Sequence, residues 1–290
     1  MSAPGTVGLL SPGDMGHVVA QRLRETGLRV ISCLDGRSAR TRQLAEIAGV
    51  EAVDEATLVV EADLILSILV PAQAAAAAER VAVALRATGA RVTYADCNAI
   101  APQTMQAIDE TIRAAGSTCV DASIIGPPPR TAGRTRFYAS GPETALLAAL
   151  TAFGLDVRVI GRNIGDASAL KMCYAALTKG SAALMLTLLT AAERLGVADA
   201  LQAEFALSQQ ARWESMQQLG RVPAKARRWV GEMEEIGATF AAAGLSHDMG
   251  SGAAAIYRLL GATSLADRHP EDDTPPPTLE ELLAVLAAGT

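Results

Sequence analysis

The stretch Thr6-Val-Gly-Leu-Leu-Ser-Pro-Gly-Asp-Met-Gly16 decides the fold of this 290-residue chain. An apolar strand runs into a glycine-containing turn and then directly into a helix. In the fingerprint G-x-G-x-x-G, glycines let the backbone approach a pyrophosphate, and the helix start points N–H groups and a positive dipole end at the anion. Gly13 and Gly16 take the last two glycine positions, and Ser11 replaces the first. The turn therefore predicts a dinucleotide site, although a strand–helix turn that merely needs small residues is the alternative. The predicted contacts are Ser11, Pro12, Gly13, Asp14 and Met15.

Short β-rich segments alternate with helical segments up to about residue 160. The strand candidates are Thr6–Leu10, Arg29–Leu34, Leu64–Leu69, Val92–Ala95, Thr118–Asp121, Arg136–Ala139 and Val157–Ile160. This alternation predicts parallel strands joined by crossover helices, which is a Rossmann-type doubly wound α/β sheet. Ligands of such sheets bind beyond the carboxyl ends of the strands. We therefore expect the loops after Leu69, Ala95 and Asp121 to form the site, with Leu69 and Val70 contacting the cofactor.

The pattern changes after Gly165. Residues Ala167 to Leu195 contain no proline and one interior glycine, which predicts a single helix of about 30 residues. Further helices are expected at about 198–219, 222–243, 247–260 and 279–288, with an exposed acidic, proline-rich linker at 269–277. We predict a dinucleotide-binding domain at residues 1–163 and an all-helical domain for substrate binding and dimerisation at residues 164–290, joined by the long helix.

The composition narrows the class of partner. A net charge of −6 argues against nucleic acid or an anionic membrane as the main partner. No uninterrupted apolar stretch reaches the ~20 residues needed to span a membrane, and the first residues lack the features of a signal peptide. The cysteines and histidines are too scattered to predict a metal site. Widely spaced, reduced cysteines suit a cytoplasmic protein.

The segment Cys33-Leu-Asp-Gly-Arg-Ser-Ala-Arg-Thr41 bears on the choice between NAD and NADP. A carboxylate at the end of the second strand accepts hydrogen bonds from a ribose 2′-hydroxyl, whereas an arginine there neutralises a 2′-phosphate. Asp35 would suit NAD, while Arg37, Ser38 and Arg40 form a basic loop suited to a phosphate. Ser38 is equally suited to capping the helix that follows. We predict a preference for NADPH. The expected contacts in this loop are Gly36, Arg37, Ser38 and Arg40.

Three further segments carry a family pattern, together with the glycine turn. They are Asp96-Cys-Asn-Ala-Ile-Ala-Pro102, Asp121-Ala-Ser-Ile-Ile-Gly-Pro127 and Gly165-Asp-Ala-Ser-Ala-Leu-Lys171. Over most of its length the chain resembles the β-hydroxyacid dehydrogenase superfamily, which includes 6-phosphogluconate and 3-hydroxyisobutyrate dehydrogenases and the related imine reductases. It is most similar to a 6-phosphogluconate-dehydrogenase-like branch whose C-terminal domain has no known function.

The resemblance implies roles for particular residues. Lys171 matches the catalytic lysine at the start of the interdomain helix. Asn98 lies in the segment beside the nicotinamide, where it is suited to orienting the nicotinamide ribose or a substrate carboxamide and equally suited to capping the helix that begins near Pro102. The family's substrate loop corresponds to Ser123, Ile124, Ile125 and Gly126. The chain departs from the family at Ala175, where an asparagine usually holds the substrate, so the resemblance leaves the substrate class open.

Lys171 is our candidate for the general acid/base, and a lysine that merely extends to solvent is the alternative. Tyr174 follows at i+3 on the same helical face and is either a second catalytic group or a packing residue. His247 is either a substrate contact or a surface residue at a helix start. Arg130, Arg134 and Arg136 are either surface cations or a clamp for a substrate carboxylate.

These expectations favour an NADPH-dependent oxidoreductase that acts on a small carbonyl or hydroxy-acid substrate and forms a homodimer. An imine or enamine reductase is the second hypothesis, since polar groups that would hold a hydroxy acid are missing. A nucleotide-binding module without catalysis is the third, because Ser11 and Ala175 replace family residues.

Overall fold

The computed structural model describes residues 3–268 and 274–288 and contains two compact units, one up to Met172 and one from Cys173 onward. The first unit is built on an eight-stranded sheet with the strand order β3-β2-β1-β4-β5-β6-β7-β8. Its strands are β1 (Thr6–Leu9), β2 (Arg29–Cys33), β3 (Glu51–Val53), β4 (Leu64–Ser67), β5 (Thr93–Asp96), β6 (Thr118–Ile125), β7 (Arg136–Ser140) and β8 (Asp156–Gly161). Strands β1 to β6 run parallel, whereas β7 is antiparallel to β6 and parallel to β8.

Helices cover both faces of this sheet. They are α1 (Gly16–Glu25), α2 (Ala39–Ile47), α3 (Glu55–Glu61), α4 (Ala74–Thr88), α5 (Pro102–Ala114), α6 (Ala145–Ala149) and the beginning of α7 (Asp166–Leu195). One apolar core joins the sheet to α1 and α6, and the other joins it to α3, α4 and α5. Because strands buried on both faces are apolar throughout, their sequences read as short continuous hydrophobic segments. The doubly wound fold is thus confirmed.

Two features of the sheet differ from the expectation. Strand β3 was not predicted, because Glu-Ala-Val at the sheet edge is short and largely exposed and so carries little hydrophobic signal. Strand β6 does not end at Asp121 but continues to Ile125, since its second half pairs with β7 as far as Ile125 and Arg136. An antiparallel partner for β6 has no local signature in the sequence.

The second unit is helical. Besides the rest of α7, its helices are α8 (Ala198–Ser208), α9 (Gln210–Met216), α10 (Pro223–Ala242), α11 (Asp248–Gly261) and α12 (Leu279–Ala288). The helix expected at 198–219 is interrupted at Gln209, whose backbone is non-helical (φ −141°, ψ 47°). Helices α10 and α11 pack closely at Gly250, where a Cβ would lie 2.7 Å from the Cα atom of Gly237. The part of the expected 269–277 linker at 269–273 lies outside the described residues.

The long helix α7 begins and ends as expected, and it contains the division between the two units at residues 172 and 173. The boundary at 163 and 164 remains a prediction. By length and composition alone α7 is apolar enough to cross a membrane, although polar residues interrupt its apolar sequence. Of its most apolar 18-residue window, 39% is buried within the protein. Core helices of soluble proteins pass the same test, so this property does not indicate a membrane.

Candidate active site

The turn between β1 and α1 uses its two glycines for different reasons. A Cβ at Gly16 would lie 2.1 Å from the carbonyl oxygen of Ser11, so the turn itself excludes any side chain there. A Cβ at Gly13 would meet only the Ser11 hydroxyl, at 3.9 Å. The protein alone would therefore tolerate a side chain at Gly13. Open space in front of this glycine fits a ligand that approaches the backbone at the start of α1, as a pyrophosphate does.

Side chains around this turn form two further contacts. The His17 imidazole lies with Nδ1 2.7 Å from the Gly13 carbonyl oxygen, and Arg130 Nη2 lies 3.3 Å from His17 Nε2. Asp14 forms an ion pair with Arg40. The predicted role of Arg40 as a phosphate contact is untested, but its guanidinium already has a carboxylate partner.

A cavity of about 430 Å³ opens beyond the carboxyl ends of β1, β2 and β4. It is lined by Leu10, Cys33, Asp35, Gly36, Arg37, Glu55, Leu58, Ala72, Gln73, Ala76 and Arg80. Its size and position suit the adenosine part of a dinucleotide. Arg37 donates to the Leu10 carbonyl at 2.8 Å, and burial together with the nearby charge of Arg80 lowers the pKa of its guanidinium. An anion between these cations would relieve that repulsion.

Arg80 was missed in the sequence, where it only continues the alanine-rich helix. It lies 3.6 Å from a carboxylate oxygen of Glu55 and shares the cavity with Asp35. Ser38 caps α2 by accepting a hydrogen bond from the Thr41 N–H at 3.2 Å. The capping alternative is thereby confirmed, while a phosphate contact of Ser38 remains a prediction.

Asn98 joins the ends of two neighbouring strands. Its Oδ1 accepts from the Leu69 N–H at 2.5 Å, and its Nδ2 donates to Ser67 at 2.9 Å and to Asp96 at 3.0 Å. The side chain is 2% exposed. Its amide therefore holds the loop that contains Leu69 and Val70, and the expected contact with the cofactor stays a prediction. Burial raises the pKa of the Asp96 carboxyl to about 7.

Asp121 ties α7 to the sheet. Its fully buried carboxylate accepts hydrogen bonds from the N–H groups of Gly165, Ala167 and Ser168 and from the hydroxyls of Ser140 and Ser168, at 2.7 to 3.1 Å. Burial raises its pKa, and these five donors offset part of that rise. A carboxylate at a helix N-terminus also interacts favourably with the helix dipole. The first turn of α7 is therefore fixed on the middle of β6.

Lys171 lies one turn further along α7. Its Nζ donates to the Ile124 carbonyl oxygen at 2.6 Å, so the part-buried amine lies near the carboxyl end of β6. Tyr174 belongs to the second unit and is 50% exposed. Its catalytic role remains a prediction.

The structure corrects the expectation that the substrate segment is a loop. Ser123, Ile124 and Ile125 are the last residues of β6, and their side chains are buried. The Ser123 hydroxyl has no hydrogen-bond partner among the described residues. A loop begins only at Gly126, which is exposed. A buried strand at this position presents the Ile124 carbonyl to Lys171, so backbone rather than the Ser123 side chain faces the amine.

His247 precedes α11 in the second unit, and its Nδ1 lies 3.6 Å from Asp248 Oδ1. Its side chain is exposed, so the surface interpretation holds and a substrate contact stays a prediction. Within residues 3–268 and 274–288, three or more His, Cys, Asp or Glu side chains nowhere assemble into a possible metal site.

Comparison with known proteins agrees with this geometry. Residues 5–161 match the family described as the NAD binding domain of 6-phosphogluconate dehydrogenase, and residues 192–260 match a domain of unknown function, DUF1932. The uncharacterized 28.5 kDa protein in 7S RNA 5′region of Methanothermus fervidus is 30% identical over 196 residues, which are 67% of this chain and 74% of that protein.

Solved structures show the same architecture. The conserved protein MTH1747 of unknown function, described as structurally similar to 3-hydroxyacid dehydrogenases, is 30% identical, with a TM-score of 0.65 over 91% of this chain and 100% of that one. The 3-hydroxyisobutyrate dehydrogenase of Mycobacterium tuberculosis, solved with L-serine, is 20% identical. Its TM-score is 0.65 over 98% of each chain. The second likeness concerns the fold alone.

Proposed function

We propose that this chain, which belongs to the family of the NAD binding domain of 6-phosphogluconate dehydrogenase, is an NADPH-dependent oxidoreductase for a small carbonyl or hydroxy-acid substrate. Membership in this family makes the protein an NAD(P)-dependent oxidoreductase. The preference for NADPH, the acid/base group and the substrate class are the parts that we add.

The observation that carries the proposal is the position of the Lys171 amine at the Ile124 carbonyl. Strands β4, β5 and β6 are parallel, so their carboxyl ends share the edge at which the glycine turn also lies. A bound nicotinamide would supply the hydride at this edge, and the open backbone at Gly13 fits the coenzyme's pyrophosphate. Lys171 would donate a proton to the substrate oxygen during reduction and accept one during oxidation. Ile124 holds the amine in place.

The preference for NADPH is supported by Arg37 and Arg80 at one cavity. We expect Arg37→Gln to raise the KM for NADPH about 10- to 100-fold, because a charged hydrogen bond contributes about 1.5–3 kcal/mol. The KM for NADH should change little, since NADH has no 2′-phosphate. Initial rates with both coenzymes measure the effect.

Arg91→Gln is a matched control, because this exposed arginine precedes β5 at the opposite edge of the sheet. A wild-type protein that uses NADH as well as NADPH would refute the preference. An equal loss with both coenzymes in Arg37→Gln would assign Arg37 a role unrelated to the 2′-phosphate.

Imine reduction is the second candidate reaction. It is favoured by Ala175, a buried methyl side chain where the family resemblance predicts an asparagine that holds the substrate. Parallel assays with 2- and 3-oxo acids and with cyclic imines separate the two reactions. Tight NADPH binding without turnover of either class would instead support a module without catalysis.

A second copy of the chain is the partner that we propose for the helical unit. Helix α8 has no buried residue, although Leu201, Phe205 and Leu207 lie along it, and α7 exposes Leu177 and Leu184. Exposed apolar faces of this kind usually bind another protein surface. We expect a dimer by light scattering, and a monomer when Leu177 and Leu184 are both replaced by glutamine. A monomeric wild-type protein would contradict this proposal.

The cytoplasm is the compartment that we propose for the protein. All four cysteines (Cys33, Cys97, Cys119 and Cys173) are free thiols. Burial raises the pKa of the Cys97 and Cys119 thiols, which keeps them protonated. Free thiols are typical of a reducing compartment.

A further inference from the structure

We propose that Arg130 binds the pyrophosphate of the nicotinamide coenzyme and that His17 orients it for this contact. The inference rests on the proposed coenzyme binding and adds to the glycine turn a side chain from the loop between β6 and β7. It also gives a function to one of the two arginines in that loop.

His17 forms the bridge between the turn and the arginine. It is the second residue of α1 and is 4% exposed. Its Nδ1 faces the Gly13 carbonyl oxygen at 2.7 Å, and a carbonyl can only accept, so Nδ1 carries the proton. Nε2 of the neutral ring is then an acceptor, and Arg130 Nη2 donates to it at 3.3 Å. A single imidazole ring thus separates the guanidinium from the phosphate-binding turn.

The loop that carries Arg130 is held in one shape. Gly126 has a φ of +130°, and a Cβ there would lie 2.2 Å from the Arg134 carbonyl oxygen, so the loop closes tightly on itself. The Thr135 hydroxyl donates to the Pro127 carbonyl at 2.5 Å. Prolines occupy positions 127 to 129 and fix the backbone φ angles immediately before Arg130. A guanidinium on such a loop loses little entropy when it binds an anion.

The positive charge already present at the turn is smaller than the negative charge of a pyrophosphate. A pyrophosphate carries two negative charges, whereas a helix N-terminus offers the equivalent of about half a positive charge. Arg40 is paired with Asp14, while Arg130 forms no ion pair with a described residue. An arginine presents several N–H groups in a planar fork that matches phosphate oxygens. Arg130 therefore supplies the positive charge that the turn lacks.

The test compares coenzyme binding by Arg130→Gln with that by Arg134→Gln, an exposed arginine of the same loop. Dissociation constants come from fluorescence titration with NADPH and NADH at fixed ionic strength. We expect Arg130→Gln to raise the dissociation constants of both coenzymes by the same factor, about 10- to 100-fold, because both coenzymes contain the pyrophosphate. Binding of adenosine 2′-phosphate, which lacks it, should not change. Arg134→Gln should bind all three like the wild type.

The orienting role of His17 has its own readout. His17→Phe keeps a ring of similar size but removes both nitrogens, so it should also weaken the binding of NADPH. If His17 acts through Arg130, the double variant should bind NADPH no more weakly than Arg130→Gln alone. Additive losses would overturn the orienting role.

Other outcomes would overturn the proposal for Arg130. They are unchanged binding of both coenzymes by Arg130→Gln, weaker binding of adenosine 2′-phosphate as well, or an increased KM for the substrate alone. The last result would make Arg130 the clamp for a substrate carboxylate. If the wild-type protein bound neither coenzyme, the proposed function itself would fail, which distinguishes the two cases.

Discussion

Replacing Lys171 by alanine is expected to abolish turnover while coenzyme binding stays intact. The amine is the proton donor and acceptor in the proposed reaction, and removal of a general acid typically costs about 10²- to 10⁴-fold in rate. The proposed coenzyme contacts lie in the glycine turn and in the cavity beyond β2, and Lys171 is part of neither. The effect should therefore appear in kcat, measured as NADPH oxidation, and leave the fluorescence-derived Kd for NADPH unchanged.

Two further measurements separate the chemistry from packing. Lys171→Met keeps the unbranched apolar stem but has no proton to give, so it should be as inactive as the alanine variant. A small primary amine added to Lys171→Ala should restore part of the rate, because it can enter the space left by the side chain. A variant that retained more than a tenth of wild-type kcat would remove Lys171 from the acid/base role.

Much of the fold could be predicted because its signals are local. The strand, turn and helix at residues 6–25 depend on apolar residues, small residues and spacing within one segment. The long α7 needs only the absence of proline and a terminating glycine at Gly196, whose φ is +71°. Strand β3 is short and largely exposed, and β7 is joined to its antiparallel partner β6 by a ten-residue loop without a short hairpin turn, so no local pattern predicts either feature.

The sequence predicts which residues form the candidate site better than it predicts what each of them does there. Gly13 and Gly16 look equivalent in the sequence, yet the structure shows that the turn excludes a side chain at Gly16 and leaves open space at Gly13. Asn98 is expected to contact the coenzyme because its segment resembles the family segment beside the nicotinamide. The structure adds that its amide joins Ser67 of β4 and Leu69 after it to Asp96 of β5, while the coenzyme contact stays a prediction.

Asp121 shows why the roles of some residues cannot be predicted from the sequence. A carboxylate at a strand end suggests a ligand contact. Its partners at residues 165 to 168 come more than forty positions later, and only the closed fold brings their N–H groups to it. Arg80 is a similar case. It lies in α4 while Arg37 follows β2, so only the folded chain shows that both arginines line one cavity.

Replacing Asp121 by alanine is expected to destabilise the first unit strongly. The change leaves the N–H groups of Gly165 and Ser168 and the hydroxyls of Ser140 and Ser168 without this acceptor, while the Ala167 N–H keeps its second acceptor, the Ser140 hydroxyl. Each buried donor left without an acceptor typically costs about 1–3 kcal/mol, so several of them together are a large share of the roughly 5–15 kcal/mol that stabilises a domain. Thermal unfolding should therefore begin at a clearly lower temperature. Asp109→Asn, which removes an exposed ion pair with Arg113, should cost less than about 1 kcal/mol.

Milder variants show whether Asp121 also sets the position of Lys171. Ser168→Ala removes one hydroxyl donor, leaves the carboxylate with four hydrogen bonds and should fold. Asp121→Asn keeps an acceptor oxygen but turns an N–H₂ group toward backbone donors, which should displace the first turn of α7. Because Lys171 lies one turn further along α7, kcat should fall in the folded fraction of Asp121→Asn. The Kd for NADPH should stay unchanged. If Asp121→Asn unfolded like the wild type and kept its kcat, the carboxylate would be neither the anchor of α7 nor the support of its lysine.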